Sequence, residues 1–121
     1  MNEAELQKRT KIFALRVMKM VGALPENYVA RSIGSQLVRS ATSVGANYRA
    51  ACRGRSKAEF ISKLGIVIEE SDESSYWMEL IIEGELLPPN RVEDLLDECN
   101  QITAIIVASR KSSIENQQSK I

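Results

Sequence analysis

The residues of this sequence best suited to chemistry form a basic run between positions 49 and 63. It holds five basic side chains and one acid: Arg49, Arg53, Arg55, Lys57, Lys63 and Glu59. Clusters of Arg and Lys contact phosphate groups without reading base sequence. A solvated charged surface has the same pattern. The run therefore predicts either an anion or nucleic-acid backbone site, or an ordinary exposed face.

Catalysis has no comparable signal. The chain contains no histidine, which excludes Ser-His-Asp and Cys-His nucleophiles and histidine metal sites. A carboxylate metal site could be built from the acidic cluster Glu69, Glu70, Asp72 and Glu73. Without further inward carboxylates, pairing with basic helix faces is the better interpretation. We expect no catalytic residue, no metal and no cofactor, and a protein that is not an enzyme.

The two cysteines, Cys52 and Cys99, form no metal or redox motif. Both fall inside helical patterns, which indicates buried free thiols in a reducing cytosol. No signal-peptide pattern and no apolar run long enough to span a bilayer are expected from these residues. These features predict a cytoplasmic protein without a membrane partner.

The elements that must position the basic run are helices. Apolar residues recur at helical spacing in four segments, and no segment alternates as a strand does. We predict helices over about 3–21, 27–52, 57–83 and 90–110, followed by a polar tail that frays from Ser112 onward. With short turns, these helices predict one all-α domain spanning 1–121, an antiparallel up-down-up-down four-helix bundle.

Two local patterns support this reading. Ser56 followed by Glu59 is a capping box that predicts the start of the third helix, and Gly54 could supply a positive φ in the preceding turn. Gly34, Ala41 and Gly45 form a stripe of small side chains along the second helix. Glycine in a helix costs about 1 kcal/mol relative to alanine, so this stripe predicts close approach of another helix.

In such a bundle one end collects the N-terminus, the turn between the second and third helices, and the C-terminus. Residues 1–12, 49–63 and 107–121 carry eleven basic and four acidic groups, a net charge of +7, and the remainder carries −7. A neutral chain thereby becomes bipolar. Arg39 lies outside the basic segments and should pair with acids of the third helix, namely Glu69, Glu70 or Glu73.

The aromatic residues of the third helix predict a second surface. Tyr76, Trp77 and Leu80 extend beyond its main apolar stripe. Ligand stacking would use such a pair, but a core or subunit contact is the better interpretation, since exposed aromatic patches usually mark interfaces.

The central stretch resembles a bacterial family, the four-helix-bundle proteins encoded within 23S rRNA intervening sequences, also called S23 ribosomal proteins. The resemblance rests on Gln36-Leu37-Val38-Arg39-Ser40-Ala41, Ser43-Val44, Asn47, Arg55-Ser56 and Glu59-Phe60. The run Gly45–Cys52 departs from the commonest form, which places Glu-Gly after Asn-Ile-Ala. It looks like a recurrent subgroup, which the downstream Glu69–Ser74 stretch also fits.

The resemblance implies an antiparallel four-helix bundle that assembles as a ring-shaped homopentamer, with no established enzyme activity. A similar protein, the accessory variability determinant of diversity-generating retroelements, binds nucleic acid and a reverse transcriptase through a basic ring. The expected function is therefore a nonenzymatic, oligomeric protein that contacts RNA or DNA backbone through its basic end. The alternative is a protein-interaction scaffold or accessory subunit without nucleic-acid affinity.

Overall fold

A computed structural model describes residues 1–119 as four long helices. They are α1 (Glu3–Gly22), α2 (Tyr28–Cys52), α3 (Lys57–Glu83) and α4 (Glu93–Ser119), with a short 3-10 turn at Pro89–Arg91 before α4. No strand occurs within these residues. The all-α, four-helix prediction is confirmed. No described helix has both the length and the apolar character needed to cross a membrane.

Side chains cap the first three helices. Asn2 Oδ1 accepts from Glu5 N at 2.8 Å, and Asn27 Oδ1 accepts from Ala30 N at 2.9 Å. Ser56 Oγ accepts from Glu59 N at 3.1 Å, as the capping box predicts. The Glu59 carboxylate reaches back as expected, but it accepts from the amide of Arg55 at 3.3 Å. The polar residues that precede each apolar pattern therefore determine where the helices begin.

The end of α4 differs from the prediction. The helix does not stop near residue 110 but continues to Ser119. Residues 111–119 contain no proline or glycine, so nothing in them terminates a helix. Ser113 is buried, and it lines the same hollow as Ala51 and Phe60. Packing against the α2–α3 turn thus extends a helix whose polar composition suggested a frayed tail.

The core lies between the four helices and contains a polar layer. Its largest fully buried side chains come from every helix: Phe13, Val17, Leu37, Val44, Leu64, Val67, Met78, Ile81, Ile102 and Ile106. Among them, Ser40 Oγ and Ser74 Oγ lie 2.8 Å apart, and Ser71 Oγ is hydrogen-bonded to Thr103 Oγ1. No buried polar side-chain atom within the described chain lacks a partner. The layer therefore costs little, because its hydroxyls remain hydrogen-bonded.

The small residues of α2 lie where α1 comes close. A β-carbon placed on Gly45 would be 3.2 Å from Thr10 Oγ1, and one on Gly34 would be 3.0 Å from side-chain carbons of Val21 and Leu24. The predicted close approach is confirmed. Thr10 of α1 lies against the later glycine of α2, Gly45, whereas Val21 and Leu24, further along the chain, lie against the earlier one, Gly34.

Candidate nucleic-acid interface

The start of α1, the α2–α3 turn and the C-terminal part of α4 meet at one end of the bundle. They surround a hollow of about 390 Å³ lined by Glu3, Ala51, Cys52, Gly54, Lys57, Phe60, Ser109 and Ser113. These are the three segments whose combined charge the sequence made positive. We call the α2–α3 turn, with Arg53, Arg55 and Lys57, the basic end.

The turn itself is compact. Arg53 N donates to Ala50 O at 3.1 Å, and Gly54 N donates to Ala51 O at 3.0 Å. The expected positive φ at Gly54 is wrong, because no described glycine has one. A β-carbon at Gly54 would lie 3.0 Å from the Ala51 carbonyl oxygen, so close approach favours glycine there. The turn holds Arg53, Arg55 and Lys57 within five consecutive residues.

Four of the five predicted phosphate-contacting residues are exposed, namely Arg49, Arg53, Arg55 and Lys57; Lys63 is half-buried. The three salt bridges within the described chain involve only Arg9 and Arg39 as cations. The side chains of the basic end therefore form no ion pair with a local acid, although Glu3 lines the same hollow as Lys57. Cations without an ion-pair partner can attract a phosphate.

Two of the five residues lie away from the basic end. Lys63 follows Lys57 by six positions, which rotates it roughly 240° around α3. Arg49 lines a groove between α1 and α2 together with Lys8 and Lys11. Sequence reasoning counted Lys8 and Lys11 as basic residues but did not assign them to a site. Their three-residue spacing on one face of α1 could have indicated it.

Arg39 forms salt bridges with two acids of α3. Arg39 Nη1 lies 3.0 Å from Glu70 Oε2, and its Nη2 is hydrogen-bonded to Glu73, which confirms the predicted pairing with α3. The Trp77 indole donates to Glu73 at 3.0 Å. The hydrogen bond from Trp77 has the largest effect and lowers the pKa of Glu73. Burial opposes it, and the hydrogen bond and charge of Arg39 lower the pKa further. Arg39 is thus a structural residue.

Arg9 is also paired, which the sequence did not predict. Its Nε and Nη2 each lie 2.7 Å from a carboxylate oxygen of Glu98. Hydrogen bonding from Arg9 lowers the pKa of Glu98 against the opposing effect of burial. Arg110 in turn donates to the Ile61 carbonyl oxygen at 3.1 Å. Both arginines belong to the segments whose charge sums to +7, but only Arg9 is neutralised, because the carbonyl oxygen that Arg110 contacts carries no charge.

The predicted interface residues form a partly exposed surface on α3. Tyr76 is 54% exposed, and Trp77 and Leu80 are half-buried. The rings of Tyr76 and Trp77 pack edge to face, with centroids 5.3 Å apart. Trp77 also lines a groove with Tyr28 and Arg31 of α2. A partly exposed aromatic pair beside a groove is typical of a protein contact surface.

The acidic cluster offers no metal site. Glu70 and Glu73 face Arg39 across the α2–α3 interface. Residues 1–119 contain no group of three or more acidic or cysteine side chains that could hold a metal ion. Cys99 is buried and Cys52 half-buried, and both are free. Burial raises the pKa of both thiols.

Comparison with known proteins identifies the family. The sequence profile described as 23S rRNA-intervening sequence protein matches residues 2–108. The chain belongs to this family. Its fold is similar to the crystal structure of a protein of unknown function from the S23 ribosomal protein family of Bacteroides thetaiotaomicron. The two share 30% identity with a TM-score of 0.83, over 92% of this chain and 99% of the other. None of the proteins with curated descriptions matches this chain.

Membership of the 23S rRNA-intervening sequence protein family confirms the resemblance drawn from residues 36–60. The match begins at α1 and ends within α4, so it covers the basic end, the α1–α2 groove and the aromatic surface together. The solved relative is described as having unknown function. The function of this chain must therefore be argued from its own side chains.

Proposed function

We propose that this member of the family is a nonenzymatic, oligomeric protein that binds the phosphate backbone of RNA or DNA through its basic end. The observation that carries the proposal is the set of exposed cations at one turn, Arg53, Arg55 and Lys57, none of which forms a salt bridge within residues 1–119. Unpaired cations concentrated on a neutral protein favour a local polyanion contact over diffuse attraction.

The arrangement of the helices supports this concentration of charge. Residues further along α1 contact earlier residues of α2. In the same way, Ile61 and Ser71 of α3 contact Arg110 and Cys99 of α4, respectively. Contacts of this order are those of an antiparallel, up-down-up-down bundle. We infer that order, which places the α2–α3 turn beside the start of α1 and the end of α4, as the shared hollow does.

Assembly into a ring would multiply the effect. We propose that Tyr76, Trp77 and Leu80 contribute to a contact between copies, as their partial exposure and neighbouring groove favour. In a homopentamer with parallel subunits, five basic ends would lie on one face. Several weak phosphate contacts then act together, which raises the overall affinity without a new contact in any subunit.

A charge-reversal experiment tests the proposal. The triple variant R53E, R55E and K57E should lose binding to a labelled single-stranded RNA, followed by fluorescence anisotropy at low salt. The control reverses three exposed cations elsewhere: R16E, K19E and R91E. Both variants change the net charge equally, so only a local site makes the first much weaker. Equal affinities for the two variants would contradict the proposal.

The second candidate is a protein-interaction scaffold, favoured by the exposed Tyr76 packed against the half-buried Trp77. A basic end would then dock an acidic protein, or a partner such as a reverse transcriptase. Purification from native cells with and without nuclease separates the candidates. A partner that is released by nuclease supports nucleic-acid binding, and one that is retained after nuclease supports the scaffold.

A further inference from the structure

The groove between α1 and α2 is a second cationic feature beside the basic end. It has a volume of about 330 Å³, and its charged lining residues are all basic: Lys8, Lys11 and Arg49. All three are exposed, and none is in a salt bridge within residues 1–119. The nearest acid on α1, Glu5, is one turn from Lys8 and accepts a hydrogen bond from Asn2 at 3.0 Å. The groove is therefore an uncompensated positive site.

Small residues keep the groove open. Gly45, Ala46 and Ala14 line it between the two helices. Gly45 permits the close contact with Thr10 that holds α1 against α2 at this point. Since Ala14 and Ala46 project only methyl groups, the space above them is not filled by side chains. The result is an apolar base with cations around it.

The hydrogen-bond donors of the groove are few and identifiable. Thr42 Oγ1 donates to Val38 O at 2.7 Å, and Thr10 Oγ1 donates to Leu6 O at 2.9 Å, so both hydroxyl hydrogens are already used by the helices. The ammonium groups of the two lysines, the Arg49 guanidinium and the Gln7 amide remain. These are donors that suit an anion with several oxygens, such as a phosphate.

We propose that the α1–α2 groove binds one nucleotide unit of a single-stranded nucleic acid. Its phosphate contacts Lys8, Lys11 and Arg49, and its sugar or base lies on Ala14 and Ala46. The volume is at the lower end of the range for small-ligand sites, which fits one nucleotide. A double helix keeps its bases stacked inside and cannot place one in a cleft between packed helices. The charged residues of the groove would contact the phosphate, which carries no sequence information, so binding should tolerate any base.

This inference rests on the proposed function, and it adds a defined place and strand type to it. Arg49 links the two surfaces, since it lines the groove and lies in the last turn of α2, four residues before Arg53. A strand that occupies the groove therefore continues toward the α2–α3 turn. Free mononucleotide and strand phosphate share the same chemistry, and the experiment includes both.

A neutral substitution provides the sharpest test. Ala46 is exposed, so A46L should fill the groove without changing any charge or the core. The matched control A104L adds the same side chain at an exposed alanine of α4. Binding of a short labelled single-stranded oligoribonucleotide is measured by anisotropy, and the fold of each variant by thermal unfolding. We expect A46L to lose affinity while A104L does not. In K8Q and K11Q the dependence of log K on log salt should fall by about 0.7 for each lost contact.

A titration with adenosine 5′-monophosphate and with inorganic phosphate locates the site directly. In ¹⁵N-labelled wild-type protein, the amide signals of Gly45 and Ala46 should shift on titration. In the A46L variant, the amide signal of Gly45 should not shift. Equal oligonucleotide affinity of wild type and A46L would overturn the groove proposal while leaving the basic end intact. If the wild type binds no oligonucleotide at low salt, the proposed function is wrong. The groove would then bind at most a free mononucleotide, which shifts at Gly45 would show, and without those shifts both proposals fail.

Discussion

Arg9 of α1 and Glu98 of α4 form a two-bond ion pair, with Nε and Nη2 each 2.7 Å from a carboxylate oxygen. The pair joins two helices that contact each other less than the other neighbouring long helices do. Its side chains are 24% and 18% exposed, so solvent screens it only in part.

Breaking this pair should give a pH-dependent loss of stability. The folded-state pKa of Glu98 is lowered from its ordinary value of 4.5, so the contribution is fully present above that value and is lost as the pH falls through the lowered pKa. R9Q should cost about 0.5–1 kcal/mol at neutral pH, a difference that shrinks in acid. Urea unfolding at several pH values measures it. The control K11Q should show no such trend, and a constant R9Q difference in acid would contradict the prediction.

The Ser40–Ser74 contact should couple α2 and α3 energetically. Each hydroxyl oxygen also lies within hydrogen-bonding distance of a carbonyl of its own helix, at Leu37 O and Glu70 O respectively, so one hydroxyl can donate to its helix while the other donates to its partner serine. S40A and S74A should each cost about 1 kcal/mol, and the double variant should cost less than their sum. A double-mutant cycle from chemical unfolding checks this. Additive costs would mean that the 2.8 Å contact contributes nothing of its own.

Two glycines in helix interiors should respond in opposite directions to alanine. At Gly65 of α3 an added β-carbon meets Arg110 at an ordinary 3.7 Å, so G65A should stabilise by about 0.5–1 kcal/mol. At Gly45 it meets the buried Thr10, whose hydroxyl is held by Leu6 O and Gln7 O. G45A should therefore lose that gain and destabilise. Thermal unfolding compares the pair, and equal stabilisation would contradict the close α1–α2 contact.

Assembly should depend on the aromatic surface of α3. Y76E places a charge at a 54%-exposed site and should dissociate the oligomer to the 13.5 kDa protomer without unfolding it. Light scattering during size exclusion measures the mass. V107E is the control, because Val107 is an exposed apolar residue of α4. A wild-type protein that is monomeric at micromolar concentration, or dissociation by V107E alone, would contradict the proposed interface.

The last turns of α4 should contribute to stability. Ser113 is buried inside the helix, so S113P should cost about 3 kcal/mol through the lost hydrogen bond and the ring clash. E115A, at an exposed position two residues later, should change little. Helical circular dichroism and thermal unfolding would report both. An S113P variant with unchanged stability would show that the segment after residue 110 is frayed, as its composition suggested.

Features determined by local chemistry could be predicted from the sequence, and those determined by packing between distant segments could not. Ser56 with Glu59 marks a helix start within four residues, and glycines in a helix interior indicate close approach. The helix beyond residue 110 depends on Ser113 packing near the α2–α3 turn, which composition does not reveal.

The same contrast applies to the candidate site: its local residues were predicted from the sequence, and its long-range groupings were not. Arg53, Arg55 and Lys57 stay together because they share one short turn. Arg49 precedes the turn by one helical turn and faces α1, so its grouping with Lys8 and Lys11 depends on which side of α2 the first helix covers. The pairing of Arg9 with Glu98 joins residues 89 positions apart and left no local signal.

The hydroxyl layer in the core determines how the helices align along their lengths. Between purely aliphatic surfaces, a slide by one turn exchanges similar side chains at modest cost. A slide of α3 along α2 would separate Ser74 from Ser40 and press a hydroxyl against aliphatic groups, so the layer favours a single longitudinal position. The α2–α3 turn joins these two helices, so its two ends are held at the positions that the helices take. The serines in the interior therefore help to fix where the two ends of the α2–α3 turn lie relative to each other.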